Sequence, residues 1–333
     1  MANVVEDFAN YRIRSIEVAE AEYYEQLIRT LDKIEKDVIT LAQTLPKDNQ
    51  AKLFELKAAV NMQPAIRQTL EKEYLAWSDK VVREGFTKQA KRIEKAFREI
   101  GNIPVEFQQL TEADLTLIQN LKRQSFTQFK DISNTFTRDL SQKVYQYTLV
   151  NADPVELEKD LRQTINGIYA SADDQEIQDL VNKIKRDEIR YRKMDKRTAT
   201  AKTLKQKIDI NVQTLQSKFA SDRAGNNMKR YAGQLLNDTL RQFDAQLNLA
   251  KATDAGLTYV KYFGSNIPTT REHCRLVRNG RYDKRKGGLF TKDEVRQLWR
   301  RNWKGKQPVD PFIVRSGYNC RHQSRFVNPD WYD

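Results

Sequence analysis

The sequence predicts a mainly α-helical protein, an elongated body of long helices followed by a small C-terminal α+β domain. Three observations predict it. First, helix breakers are scarce: only Gly85, Gly101 and Gly167 precede position 225, and only Pro46, Pro64, Pro104 and Pro154 precede position 268. Both residue types disfavour helix interiors, so long helices are expected, with the prolines near their ends. Second, apolar residues recur at helical spacing through the first 250 positions. Third, the texture changes beyond Gly256: residues 257–333 hold six of the twelve glycines and three of the four tryptophans. Three segments follow: an N-terminal long-helix segment 1–105, a central helical body 106–255, and a terminal α+β domain 256–333.

In chain order, Leu27, Leu31, Ile34, Val38, Leu41 and Leu45 step by fours and threes, the seam of a helix packed along another helix. Thr111 with Asp114 is a cap pair opening a second long stripe: Ile118, Leu121, Phe129, Ile132, Phe136, Leu140 and Val144. Asp153-Pro154-Val155-Glu156 supplies an N-cap, a proline at the first helical position and an acid. Ser171 with Asp174 is a further cap pair. A third stripe begins at Ile208, Val212, Leu215 and Phe219 and extends through Met228, Tyr231, Leu235, Leu236, Leu240, Phe243 and Leu247. All these stripes are core. Gly256 closes the last long helix, "LTYVKYF" reads as a short strand, and Thr291 with Glu294 forms a capping box before "KDEVRQLWRRNW". Trp299 and Trp303, at helical spacing, read as core.

The charge pattern narrows the partners. The chain carries a net +13, yet residues 265–333 hold 16 Lys/Arg against 7 Asp/Glu, and residues 183–207 hold 11 against 3. The rest is therefore mildly acidic. Two concentrated basic segments suit a polyanion or an acidic protein face, with a solvated helical face as the alternative. Their candidate contacts are Lys193, Lys196, Arg197, Lys202, Arg275, Lys284, Arg285 and Lys286. "MANVVEDFANYRIR" has no apolar signal core and no stretch reaches the roughly 18 apolar residues of a membrane span, so assembly in the cytosol of the producing cell is expected.

The only two cysteines and two histidines fall in two clusters, His273-Cys274 and Cys320/His322. Three roles compete for them. As Cys2His2 they could ligate zinc, although the spacing departs from familiar zinc motifs. A thiol–imidazole nucleophile is the second role, and it lacks a third orienting group. As a structural clamp, joined or packed, they pin the chain end onto its domain, and a bridge there would contribute about 4 kcal/mol by chain entropy. The clamp is the simplest reading, with no resident cofactor and no catalytic residue assigned.

"YVKYFGS", "TTREHCR", "NGRY", "FTKDE" and "PFIVRSGYNCRH", in that order, resemble the C-terminal module of the phage Mu F-like head morphogenesis (minor capsid) proteins. The positions that carry the resemblance are Thr270, Arg271, Cys274, Gly280, Asn319, Cys320, Arg321 and His322. It covers about residues 225–328. The basic turn "DKRKGG" is insertion-like relative to the pattern, and the first 220 residues match only a generic helical body. The resemblance implies a structural, non-enzymatic minor head protein of a tailed phage, in several copies per particle. Its implied partners are the portal protein, the capsid proteins and packaged double-stranded DNA. Its implied place is the head interior or portal vertex, reached from the host cytoplasm, with roles in head assembly and in DNA packaging or delivery. Two other classes compete: a zinc-dependent nuclease or other DNA-processing enzyme using the Cys/His quartet, and a coiled-coil adaptor unrelated to phage.

Overall fold

A computed structural model describes residues 2–44, 52–99, 108–149, 154–167, 173–195, 197–221 and 227–264. From there to residue 329 it describes all but 265, 267, 269, 279–287, 305, 308, 315, 316, 318, 319 and 321. The fold is mainly helical with a small C-terminal three-stranded antiparallel sheet, as the residue pattern predicts. Two compact units form. One comprises Met1–Glu20, Glu84–Lys122 and Asn237–Asp333, the other Ala21–Arg83 and Arg123–Leu236.

Twelve helices are described: α1 (Ala2–Gln43), α2 (Lys52–Leu70), α3 (Ala76–Lys80), α4 (Phe86–Glu99), α5 (Glu112–Leu149), α6 (Pro154–Ile165), α7 (Asp173–Arg192), α8 (Ala199–Ser221), α9 (Met228–Asp254), α10 (Glu272–Arg278), α11 (Lys292–Trp299) and α12 (Pro311–Val314). Within the unit of Ala21–Arg83 and Arg123–Leu236, the predicted seam is core: Leu27, Leu31, Ile34 and Val38 are fully buried. Phe129 of the second stripe meets Trp77 edge-on, with ring centroids 5.5 Å apart, and the Trp77 indole donates to the Tyr23 carbonyl at 3.0 Å. An aromatic pair of this kind adds about 0.5–1.5 kcal/mol beyond its buried area.

Local signals place several helix ends. Thr111 and Asp114 exchange the two hydrogen bonds of a capping box ahead of α5, at 2.9 and 3.2 Å. Pro154 opens α6. The caps expected at Asp153 and Ser171, and Leu45 of the seam, lie outside the described residues. Gly256, at φ 68°, ends α9 in a Schellman motif, with Leu257 N–H bonded to the Ala252 carbonyl at 2.8 Å and Gly256 N–H to that of Thr253 at 3.0 Å. The chain then enters β1 (Tyr259–Phe263), the centre of a sheet ordered β2-β1-β3 with β2 (Leu289–Thr291) and β3 (Gln323–Val327) antiparallel to it. The Thr291/Glu294 capping box forms and starts α11.

Four details depart from expectation. The third stripe is split between two helices: α8 stops at Ser221 and Asn227 caps α9, its Oδ1 accepting from Arg230 N–H at 2.8 Å. Tyr231, at the start of α9, is 42% exposed and not core. Pro64 lies inside α2, away from its ends. The carbonyl it leaves unbonded belongs to Val60, which is 58% exposed and therefore solvated, so the helix continues. Finally, π-helical turns at Glu71–Leu75 and Val81–Gly85 shift the phase of the run that follows α2, carrying Tyr74, Trp77, Val81 and Val82 into the core.

The exposed proline yields the first prediction. Pro64→Ala restores a helical N–H at an exposed position. Thermal unfolding should show a gain of up to about 3 kcal/mol, and a loss of stability would mean that the proline is needed where it stands.

Candidate Cys/His site and basic surfaces

In the unit that holds the C-terminal residues, Arg271 accepts from Arg275 N–H at 3.1 Å and begins α10, with Thr270 just before it. His273 and Cys274 are neighbours on this helix, where successive side chains diverge by about 100°. Cys274 enters a core of Tyr262, Val277, Phe290 and Cys320, against which Val295 and Leu298 pack. His273 instead stacks on Trp303, ring centroids 4.0 Å apart, with Trp299 edge-on at 6.1 Å. Lys306 Nζ sits over both indoles, 5.3 Å from Trp299 and 5.0 Å from Trp303. The tryptophans are half-buried and wall this histidine. Burial, with Lys306, Arg301 and Arg271 adding to it against Cys320, pulls the His273 pKa down to about 4, so the ring is neutral at pH 7.

Cys274, Cys320 and His322 come together. The two sulfurs are 3.8 Å apart and His322 Nδ1 is 3.9 Å from Cys320 Sγ. One ligand atom from each of the three lies within 4.8 Å of the others, and all three residues are buried. The two cysteines are not joined in a disulfide. Tyr262 holds the cluster from β1, its hydroxyl 3.6 Å from Cys320 Sγ and its ring stacked on His322 at 5.5 Å. Gly264 lets the backbone pass: a Cβ there would stand 3.0 Å from His322 Cδ2 and 3.1 Å from its Cα, and its φ of 126° already excludes most side chains. The predicted quartet is thus a trio, with His273 engaged by the tryptophans.

Beneath this cluster lies a buried polar network that the sequence reading did not single out. Asp244 of α9 is fully buried, paired with Arg12 of α1 and, at 2.8 Å, with Arg325 of β3. Arg12 also reaches Asn248 at 3.4 Å. One turn earlier, fully buried Arg241 donates to Glu20 at 2.8 Å and lies 3.7 Å from Glu17. Lys251 bonds the Gln109 carbonyl at 2.6 Å and Asp114 at 3.1 Å. A signal was available: Asn237, Arg241, Asp244, Asn248 and Lys251 step by four, three, four and three beside the apolar stripe. Polar residues at core spacing mark a helix buried on that face too.

These pairs carry their own electrostatics. Burial pushes the Asp244 carboxyl up, but Arg12 and Arg325 outweigh it and hold it below its ordinary value. Burial and the neighbouring Arg325 lower Arg12 to about 9. For Arg241, burial opposes the charge, yet Glu20 and Glu17 hold its pKa above the ordinary value, with Cys320 close enough to add to them.

The basic segment 183–207 forms the α7–α8 hairpin in the other unit. Ile184, Tyr191, Ala201, Leu204 and Ile208 are its buried seam. Asp195 and Thr198 shape the turn, the Thr198 hydroxyl accepting from Ala201 N–H at 3.2 Å. Lys193, Arg197 and Lys202 are exposed there. Arg275 is exposed on α10, donating to the Pro268 carbonyl at 3.1 Å. Lys196, Gly280, Lys284, Arg285, Lys286, Asn319 and Arg321 lie outside the described residues, as does Trp331. Among the described residues, no helix is long and apolar enough to cross a membrane.

Compared with models of known families, with curated proteins and with solved structures, the chain matches none.

Asp244→Asn strands two buried guanidiniums and should cost about 3–5 kcal/mol, read by thermal unfolding at neutral pH. The folded carboxyl lies below the ordinary 3.8. Its contribution is therefore present above that pH and fades as pH falls through the folded value. The variant should accordingly show a flatter acid limb of melting temperature against pH, and an unchanged limb would mean the acid sensitivity arises elsewhere.

Proposed function

We propose that this chain is a structural minor head protein of a tailed phage, one that docks on the portal and the capsid interior and takes part in head assembly and in packaging or delivery of double-stranded DNA. The observation that carries the reading is where the motif residues of the Mu F-like resemblance fall. Cys274 on α10, which Arg271 immediately precedes, shares one core with Cys320 ahead of β3, the two sulfurs in contact and His322 beside them. Motif positions far apart in sequence that meet in one core are what a shared module requires. In this reading the chain acts in several copies within the particle, at the head interior or portal vertex.

The chemistry of the cluster suits a non-enzymatic role. All three donors are buried, at 2, 2 and 4% exposure for Cys274, Cys320 and His322. A hydrolytic metal needs a ligand position that its substrate can reach, and donors this buried keep a phosphodiester at a distance. The long helices offer solvated faces for docking. The α7–α8 hairpin offers exposed Lys193, Arg197 and Lys202 for phosphates, each neutralised phosphate releasing counterions.

Two measurements test the proposal. Cross-linking mass spectrometry on intact particles should join lysines of this chain to a portal-like ring subunit; absence of the chain from particles would defeat the structural role. Separately, Lys193→Gln, Arg197→Gln and Lys202→Gln together should reduce the slope of log affinity for duplex DNA against log salt by up to about 3. A slope that does not move removes the hairpin from DNA contact.

A further inference from the structure

We propose that Cys274, Cys320 and His322 form a structural zinc site that fastens α10 to the segment entering β3. The inference is read from this cluster's own geometry and stands whether or not the chain belongs to a phage head.

Distance is the first argument. Tetrahedral zinc with bonds of about 2.3 Å to sulfur and about 2.0 Å to nitrogen sets ligand atoms about 3.8 Å apart for two sulfurs and about 3.5 Å for sulfur and nitrogen. The observed separations are 3.8 Å between the sulfurs and 3.9 Å from Cys320 Sγ to His322 Nδ1. The thiol pair is therefore already spaced as an edge of a zinc tetrahedron, the imidazole nitrogen stands a few tenths of an ångström beyond the ideal from Cys320, and all three ligand atoms lie within 4.8 Å of one another. A disulfide would require the sulfurs to close to about 2.0 Å, a much larger displacement in a packed core.

Donor type and surroundings agree. Two thiolates and one imidazole are a soft, nitrogen–sulfur set, the kind that selects zinc over the hard cations. Two thiolates neutralise the dication, so the loaded site carries no net charge into the apolar core of Tyr262, Val277 and Phe290. Coordination through Nδ1 leaves the ring proton on Nε2 and so fixes the tautomer, while stacking on Tyr262 sets the plane of the imidazole. Gly264 clears the space against which that ring rests.

The fourth position falls to a water or to the Tyr262 hydroxyl, 3.6 Å from Cys320 Sγ. All three protein ligands are buried, which keeps a substrate from the metal and makes its role that of a fastener. Its ligands come from a helix and from a stretch 46 residues later, so the metal closes a loop that the sheet alone holds only through β1.

The test uses the full chain, produced with added zinc, purified under reducing conditions without chelator and analysed for metal. About one zinc per chain is expected. Exchange with Co2+ should give the intense d–d bands of a tetrahedral site and a thiolate-to-metal charge-transfer band. Cys320→Ser and His322→Ala should each weaken metal retention against a chromophoric chelator at least about tenfold, whereas His273→Gln, outside the trio, should retain it. The wild-type stoichiometry and cobalt spectrum decide the matter even if a variant fails to fold. Folded wild-type chain with no metal above background, its cysteines titrating as free thiols or joined as a disulfide, overturns the proposal.

Discussion

One carboxylate joins the most distant parts of the chain. Asp244, on the last long helix, is shared by Arg12 from the first helix and Arg325 from the last strand, and none of the three is exposed enough to trade its partner for water. Such a clasp adds little net stability compared with an apolar substitute, since each charge gives up hydration to be there. Its strength lies in the penalty for any other arrangement. A slipped α9, or a β3 paired one residue out of register, would leave two cations and an anion buried apart. Apolar packing tolerates such slips far better, because leucine and phenylalanine accept many neighbours. In the residues it touches, the clasp sets the register of α1, α9 and β3, and the sheet follows, because β1 pairs with β3 through all five of its residues.

The Cys/His cluster depends on that register. Arg241 is one turn before Asp244 on the same helix, held by Glu20 and Glu17, and it is near enough to Cys320 for the two to interact. The same helix thus presents an anion to the strand and a cation to the sulfur. Cys320 and Arg325, five residues apart in sequence, meet opposite charges from consecutive turns of α9. The end of the chain is fixed on both sides of β1, by ionic contacts toward α9 and by sulfur and imidazole toward α10.

Much of the helical plan was legible because it rests on local chemistry. The Leu27–Leu31–Ile34–Val38 seam, the Thr111/Asp114 and Thr291/Glu294 boxes and the Gly256 cap each need only a few neighbouring residues, and each stands where the residues imply. What escaped is non-local. Nothing near Arg12 or Asp244 in sequence says they will meet, and a charged residue on a helix is ordinarily solvated. The π-helical turns leave no mark on composition, because they answer to which side chains the core accepts. Pro64 was misplaced for a similar reason: its tolerance depends on Val60 being exposed, a tertiary fact. In the site, counting residue types found the four Cys and His but could not divide them. The division came from a helix at 272–278, which turns neighbours His273 and Cys274 away from each other.

That division explains why this small unit retains both histidines while using them differently. Its sheet buries Val260, Phe263, Phe290, Phe326 and Val327 beside the cluster around Tyr262. Directional contacts add to that burial. His273, kept neutral by burial, behaves as a flat aromatic between Trp299 and Trp303 and closes the α10–α11 side. His322, stacked on Tyr262 and beside the two thiols, closes the β3 side. An imidazole serves both places because it is planar enough to stack and polar enough to coordinate, and the neighbours decide which property is used. The compact arrangement of two thiols and one ring therefore works as the Asp244 clasp does: beside its apolar packing, the last strand is held by groups that accept only one geometry.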